Sequence, residues 1–167
     1  KVKKSDYDYN NILRKETFFR DNKPYKIKIY NKNRDLTVEE KYNNENPNKG
    51  YRIIYYIDGN IREEYYFNGN KNDGEFTSYY QSGSLQSNLE YLDGVLVGTC
   101  SWYYPTGDLM RIKDYMSSDT YQIEYYKNGK KKSEGSFKGN DFSGNFIGRW
   151  IFYDKNGNIS SEEDYGL

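Results

Sequence analysis

Aromatic and aliphatic residues recur along the chain in one fixed order, separated by polar stretches that contain glycine. Each copy begins with an aromatic residue, passes through a polar turn to an aliphatic residue, and ends on a second aromatic residue, except that Lys131 replaces the aliphatic residue in the copy that begins at Tyr126. The clearest copies are Tyr56, Ile61 and Phe67; Tyr80, Leu85 and Tyr91; and Tyr104, Leu109 and Tyr115. The first aromatics of the copies stand at residues 7, 30, 56, 80, 104, 126 and 153. Such a period is typical of repeat proteins, in which each repeat is one supersecondary unit.

Each copy is predicted to form a β-hairpin, because its short apolar segments flank a turn signal. Asp58–Gly59 is typical of a two-residue turn, whose central residues need positive φ. Lys155–Asn156–Gly157 has one more turn residue and suits a three-residue loop. The whole chain, 1–167, is therefore predicted to be a single all-β repeat array, an elongated single-layer antiparallel sheet of about seven hairpins. The copies are degraded over about 7–50 and clear over 51–165.

The predicted turn decides which side chains share a face of the sheet. With a two-residue turn, Tyr56 pairs with Ile61, and Phe67 joins them because side chains alternate along a strand. These apolar positions predict the core. Tyr55 then lies on the opposite face, together with Glu64, which stands three residues after the aliphatic position.

The second face carries the predicted binding residues. Its aromatic members are Tyr55, Tyr79, Tyr103, Tyr125 and Phe152, and its acidic members include Glu64, Glu134 and Glu162. Two alternatives stay open for the aromatic stripe: it packs under a second layer, or it forms a recognition surface, where tyrosine is enriched. The carboxylates are either a solvated stripe or an acidic track for a basic protein partner.

Composition narrows the kinds of partner. The chain has 25 basic and 25 acidic residues, so no net field attracts it to nucleic acid. Its 21 Tyr, 8 Phe and 2 Trp argue against a disordered chain, despite a mean hydropathy of −1.14. No apolar run approaches the ~20 residues of a transmembrane span. We therefore expect no nucleic-acid partner and no transmembrane span.

The sequence lacks histidine, and its carboxylate pairs recur in several copies of the repeat. The chain has no histidine, which removes Ser–His and Cys–His nucleophilic sites and His-ligated metal sites. Carboxylate pairs such as Glu63–Glu64 recur from copy to copy, whereas a catalytic pair is unique, and neighbours in a strand point to opposite faces. The sequence therefore predicts no enzyme, no metal site and no cofactor.

The repeat resembles the bacterial variant of the MORN repeat in the segments YYIDGNIREEYYFNG, YYQSGSLQSNLEYLDGVLVG and FYDKNGNISSEEDYG. That repeat has two aromatics, a glycine turn, an aliphatic, a later aromatic and two further glycines. The resemblance implies stacked antiparallel hairpins, no catalytic residues and a role as a scaffold or binding surface. Bacterial proteins of this type include antitoxins of toxin–antitoxin and polymorphic-toxin systems, and exported or membrane-anchored proteins.

The resemblance and the tyrosine stripe together favour a protein-binding module that acts as an antitoxin or immunity protein and neutralises a toxin by direct contact. The alternative is an exported or lipid-anchored structural or adhesive protein of the cell envelope, which the start of the chain at Lys1 rather than Met motivates. An antitoxin to an intracellular toxin is expected in the cytoplasm, whereas a cleaved leader before Lys1 would favour the envelope.

Overall fold

The sheet contains every strand of the described chain. A computed structural model describes residues 2–115, 118–139 and 145–166. These residues form fourteen strands and no helix, and all strands belong to one antiparallel sheet. The order of strands in the sheet is their order in the chain, so neighbours in sequence are neighbours in space. This arrangement confirms the predicted all-β, single-layer sheet of hairpins.

The strands are six to nine residues long, and they pair in seven successive hairpins. They are β1 (Val2–Tyr7), β2 (Leu13–Arg20), β3 (Lys23–Tyr30), β4 (Leu36–Tyr42), β5 (Lys49–Tyr55), β6 (Ile61–Asn68), β7 (Lys71–Tyr79), β8 (Leu85–Leu92), β9 (Val95–Tyr103), β10 (Leu109–Asp114), β11 (Asp119–Tyr125), β12 (Lys131–Lys138), β13 (Phe146–Tyr153) and β14 (Ile159–Asp164).

The turn inside each hairpin has three residues, not the two predicted from Asp58–Gly59. In the third hairpin the Gly59 amide donates to the Tyr56 carbonyl at 3.1 Å, and the Tyr56 amide donates to the Asn60 carbonyl at 2.8 Å. Gly59 has a φ of +89°. This is a type I turn followed by a left-handed residue, a common three-residue hairpin loop. The predicted pairing of Tyr56 with Ile61 is therefore wrong.

The same loop closes all seven hairpins. Asn11 and Arg34 take the left-handed position in the first two hairpins, with φ of 59° and 70°, and Gly157 takes it in the last. The predicted three-residue loop Lys155–Asn156–Gly157 is therefore confirmed, but the prediction that it is longer than the other loops is wrong. The turn begins at Asp154, so Tyr153 is equivalent to Tyr55 and not to Tyr56.

A β-bulge follows each turn and shifts the register by one residue. Tyr55 is opposite Ile61, but Ile54 is opposite Glu63, so Arg62 is the extra residue. The equivalent shift occurs in each of the other six hairpins. A bulge reverses the alternation of side chains beyond it. The predicted core of Tyr56, Ile61 and Phe67 is therefore wrong, because Ile61 and Phe67 lie on opposite faces.

The two faces of the sheet differ in burial. The inner face carries nearly all the buried side chains of the described residues, and Glu39 is the exception. Its buried apolar members are Tyr65, Phe67, Leu89, Cys100, Tyr115 and Trp150. The outer face carries the tyrosine that precedes each turn. Since every strand lies in one sheet, the inner face becomes buried by packing across its own strands.

Tyrosine hydroxyls tie each central hairpin to the next along the turn edge. Tyr56, Tyr80, Tyr104 and Tyr126 are the first residues of their turns, and each donates to a backbone carbonyl in the following hairpin. The acceptors are the carbonyls of Tyr79, Tyr103, Tyr125 and Tyr153, at 2.9, 2.7, 2.8 and 2.8 Å respectively. The other three turns begin with Asp8, Asn31 and Asp154, whose side chains instead accept amide hydrogens within their own turns.

Gly135 is required by the packing of the inner face. A Cβ atom at this position would lie 2.3 Å from the Trp150 ring. Trp150 is 2% exposed, and its indole nitrogen donates to the Ser136 carbonyl at 2.9 Å. The ring therefore has little freedom to move away, so glycine is the residue that allows it to cross β12.

We expect Gly135→Ala to lower the free energy of unfolding by about 1–3 kcal/mol, the usual cost of overpacking. Urea denaturation gives this value from the shift in midpoint at constant m. In a double-mutant cycle with Trp150→Leu, the two losses should be less than additive, because the smaller side chain removes the clash. Additive losses would contradict the proposed contact.

We expect Tyr80→Phe to lower the free energy of unfolding by about 1 kcal/mol, because it removes the hydroxyl that bonds the next hairpin. The matched control is Tyr9→Phe, at a tyrosine that is 96% exposed, which should change stability by less than about 0.5 kcal/mol. Equal effects of the two substitutions in urea denaturation would show that these tethers do not stabilise the sheet.

Candidate binding face

Seven tyrosines form one column along the outer face, each directly before a turn. They are Tyr7, Tyr30, Tyr55, Tyr79, Tyr103, Tyr125 and Tyr153. Each is opposite the residue that opens the next strand, which is Leu13, Leu36, Ile61, Leu85, Leu109, Lys131 and Ile159 in turn. The structure thus places four of the five predicted aromatic binding residues, Tyr55, Tyr79, Tyr103 and Tyr125, on one face.

Phe152 was wrongly assigned to this column. Its ring stacks on Trp150 on the inner face, with centroids 6.1 Å apart and planes 27° apart. Tyr153 is the residue that occupies the outer position, opposite Ile159. The sequence did contain the signal that identifies it, because a tyrosine precedes the strand-opening residue by six positions in all seven hairpins.

Glutamates lie beside the tyrosine column and accept hydrogen bonds from it. Glu16, Glu39, Glu64, Glu134 and Glu162 all stand three residues after the start of their strands, on the outer face. The hydroxyls of Tyr30, Tyr79 and Tyr153 donate to Glu16, Glu64 and Glu134, at 2.7, 2.6 and 2.5 Å. Each bond joins one hairpin to the preceding one and holds one of these three tyrosine rings in place.

Most of these glutamates also pair with a basic residue on the same face. Glu16 pairs with Lys3 at 2.7 Å, Glu39 with Lys26 at 3.0 Å and Glu134 with Lys131 at 2.7 Å. Glu162 pairs with Arg149. Carboxylates that are neutralised in this way do not form a continuous acidic track. The predicted binding residues Glu134 and Glu162 therefore lie on the expected face, but each has its own cation.

Glu64 differs from the other outer-face glutamates. Its carboxylate accepts hydrogen bonds from Tyr51 and Tyr79, and no Lys or Arg of the described chain pairs with it. It lines a cleft of about 180 Å³ with Tyr51, Tyr66, Glu75, Thr77 and Tyr79. Neither Tyr51, Tyr66 nor Glu75 was among the predicted binding residues, because none belongs to the two columns that the repeat pattern defines.

The bonds between tyrosine and glutamate change the acidity of both groups. The hydrogen bond to Glu64, together with burial, raises the pKa of Tyr79 to about 12. Hydrogen bonds from Lys3 and Tyr30 lower the pKa of Glu16. Burial opposes ionisation of Glu134, but the hydrogen bonds it accepts outweigh burial, and its pKa is lowered. These shifts favour a neutral hydroxyl at Tyr79 and ionised carboxylates at Glu16 and Glu134 at neutral pH.

A second and larger cleft opens on the inner face near the last hairpins. It has a volume of about 520 Å³, and its lining includes Arg111, Glu124, Lys132, Trp150 and Phe152. Arg111 donates to Glu124 through Nε at 3.0 Å and through Nη2 at 2.7 Å, and the Lys132 ammonium donates to the same carboxylate at 3.2 Å. Arg111, Glu124 and Lys132 of this cleft thus pair with one another.

The adjacent carboxylates of β6 do not converge on one site. Glu63 is opposite Ile54 and Glu64 is opposite Ile53, so the two adjacent carboxylates point to opposite faces. Among residues 2–115, 118–139 and 145–166, no three His, Cys, Asp or Glu side chains come together as metal ligands. The same part of the chain contains no helix long and apolar enough to cross a membrane.

Comparison with known families finds the same repeat in the C-terminal part of the chain. The family model of the MORN repeat variant matches residues 72–93, 96–116, 119–138 and 147–165. Each match corresponds to one hairpin, from β7–β8 to β13–β14. The three preceding hairpins have the same turn and the same bulge. A search of curated proteins finds no match to the chain.

We expect Glu64→Gln to lower the pKa of Tyr79 from about 12 towards 10, because the ionised acceptor that favours the neutral hydroxyl is lost. The raised pKa stabilises the fold below pH 10, and this stabilisation is lost as pH rises through 12. The difference in absorbance at 295 nm between wild type and Tyr79→Phe gives the titration of this residue. An unchanged titration in the Glu64→Gln background would contradict the assigned bond.

Proposed function

Because the chain is a MORN-repeat protein, we propose that it is a protein-binding module that holds its partner on the outer face. Its proposed role is that of an antitoxin or immunity protein, which neutralises a toxin by direct contact. MORN repeats are in general protein- or membrane-binding modules, and the repeat is not catalytic. The proposed partner is therefore recognised by surface contacts alone.

The observation that carries this proposal is the tyrosine column of the outer face. Tyrosine gives a large contact area with only two side-chain torsions, so little conformational entropy is lost when it is buried in an interface. The glutamate bonds to Tyr30, Tyr79 and Tyr153 reduce this loss further, since they hold the rings before the partner arrives. A rigid aromatic surface of this kind suits tight binding without rearrangement.

Burial favours the outer face over the inner face as the binding surface. Inner-face side chains such as Leu89, Cys100 and Trp150 are in contact with their own neighbours and are 8%, 0% and 2% exposed. Tyr66 and Tyr121 on the outer face are 50% and 42% exposed. Covering the outer face would therefore remove apolar surface from water that folding has left exposed.

The resemblance to the bacterial MORN variant supports the antitoxin role. Direct neutralisation needs a surface that binds one protein and performs no chemistry on it. The seven-fold tyrosine column meets this requirement, because it extends over several strands and is not shaped around a small substrate.

We expect the double variant Tyr79→Ala/Tyr103→Ala to lose at least tenfold in affinity for the partner, about 1.4 kcal/mol, because it removes two neighbouring aromatic contacts. The matched control is Tyr9→Ala, which removes an equally large side chain that is 96% exposed and lies outside the column. Wild type and both variants serve as baits in the source organism's lysate, with mass spectrometry to identify the bound proteins and calorimetry to measure affinity.

The proposal expects one stoichiometric protein that is toxic when expressed alone and harmless when co-expressed with the wild-type chain. Capture that is equal for all three baits would remove the outer face as the binding surface. Recovery of envelope components instead of a toxin would overturn the antitoxin role in favour of a structural or adhesive one.

A further inference from the structure

The outer-face cleft around Glu64 combines aromatic rings with carboxylates. Tyr51 and Tyr66 lie with ring centroids 4.9 Å apart and planes tilted by 52°, and Tyr79 forms the third aromatic wall. Glu64 accepts bonds from the hydroxyls of Tyr51 and Tyr79, while the carboxylate of Glu75 is exposed at the mouth. The faces of tyrosine rings carry negative potential, so rings and carboxylates attract the same kind of ligand.

The negative charge of this region has no counterpart within the described chain. Glu64, Glu75 and Glu90 lie on the outer face of three consecutive strands, and none of them pairs with a described Lys or Arg. Elsewhere on this face the carboxylates of Glu16, Glu39, Glu134 and Glu162 do have such partners. Among the outer-face glutamates of the described strands, the lack of a paired cation is therefore confined to β6, β7 and β8.

The register adds a direct repulsion between two of these carboxylates. Glu75 on β7 is directly opposite Glu90 on β8. Like charges at directly opposite positions destabilise an antiparallel pair. Glu75 also lines the cleft, so positive charge bound there would relieve part of this repulsion.

We propose that this cleft binds a lysine or arginine side chain of the partner protein. The inference rests on the proposed function and names the chemistry that the outer face recognises. An ammonium or guanidinium group placed over Tyr66 would meet aromatic faces and reach Glu64 and Glu75 with charge-assisted hydrogen bonds.

The size of the cleft agrees with this occupant. Its volume is about 180 Å³, below the ~300–1,000 Å³ of sites that enclose small-molecule ligands. It is large enough for the end of one basic side chain. The remainder of the partner would then lie over the tyrosine column, which includes Tyr55 on β5 and Tyr103 on β9 in the next hairpin.

The experiment compares two probes that have the same shape but different charge, N-acetyl-arginine amide and its neutral analogue N-acetyl-citrulline amide. Each is titrated into the whole chain while the backbone amide signals of residues 64–66 and 75–79 are followed by ¹H–¹⁵N NMR. Arginine should give saturable shifts confined to these residues, and citrulline should give none. Calcium chloride serves as a third probe, because carboxylates also bind metal ions.

The variants are Glu64→Gln and its control Glu45→Gln, which removes the same charge from an exposed residue between β4 and β5, outside the tyrosine column. Glu64→Gln should weaken arginine binding at least tenfold, whereas Glu45→Gln should leave it unchanged. Equal shifts with citrulline, saturable shifts with calcium alone, or no effect of Glu64→Gln would each overturn the inference.

The two proposals fail in different ways. A partner that loses affinity with Tyr79→Ala/Tyr103→Ala but not with Glu64→Gln would contradict the basic side chain and leave the binding face intact. A partner that is insensitive to the tyrosine variant would contradict the binding face itself. A partner that loses at least tenfold with Tyr79→Ala/Tyr103→Ala and with Glu64→Gln, and keeps its affinity with Glu45→Gln, would support both proposals.

Discussion

The turn and the bulge of each hairpin are the constraint on which the rest of the structure depends. A three-residue turn places Tyr55 opposite Ile61, and the bulge at Arg62 then returns Glu64 to the same face as Tyr55. With a regular two-residue turn, Ile61 would instead share a face with Tyr56. Because the same combination occurs in all seven hairpins, it sorts the side chains of the whole sheet into an inner face that packs and an outer face that remains accessible.

A sheet of one layer must obtain its stability along its own length. The inner face supplies apolar contacts across strands, such as that of Trp150 over Gly135, where a Cβ atom would have no room. The turn edge supplies hydrogen bonds between hairpins, such as the one from Tyr80 to the Tyr103 carbonyl. Both kinds of contact join neighbours only, as in other repeat arrays. The outer face contributes the bonds between tyrosine and glutamate, and these leave the tyrosine rings available for a partner.

The repeat period and the turn residues were enough to predict the architecture and four of the outer tyrosines. The register was not predictable from Asp58–Gly59, since this dipeptide suits two-residue and three-residue loops alike. Hydrogen bonds between hairpins, such as the one from the Tyr56 hydroxyl to the Tyr79 carbonyl, favour the longer loop, and the sequence of a single repeat does not reveal them.

The lack of a paired cation at Glu64 could not be predicted from the sequence either. Lys28 is opposite Glu39, whereas Ile53 and Thr77 flank Glu64, and this difference follows only from the register.

The central claim concerns the register of each hairpin. In the fourth hairpin, Tyr79, which precedes the turn, shares a face with Leu85, whereas Tyr80, which begins the turn, does not. The most direct test is a nuclear Overhauser experiment on protein with labelled leucine methyl groups. The account predicts strong cross-peaks between the Leu85 methyls and the ring of Tyr79, which the register places opposite each other. Cross-peaks from Leu85 to the ring of Tyr80 in their place would show a two-residue turn and would reverse the assignment of both faces.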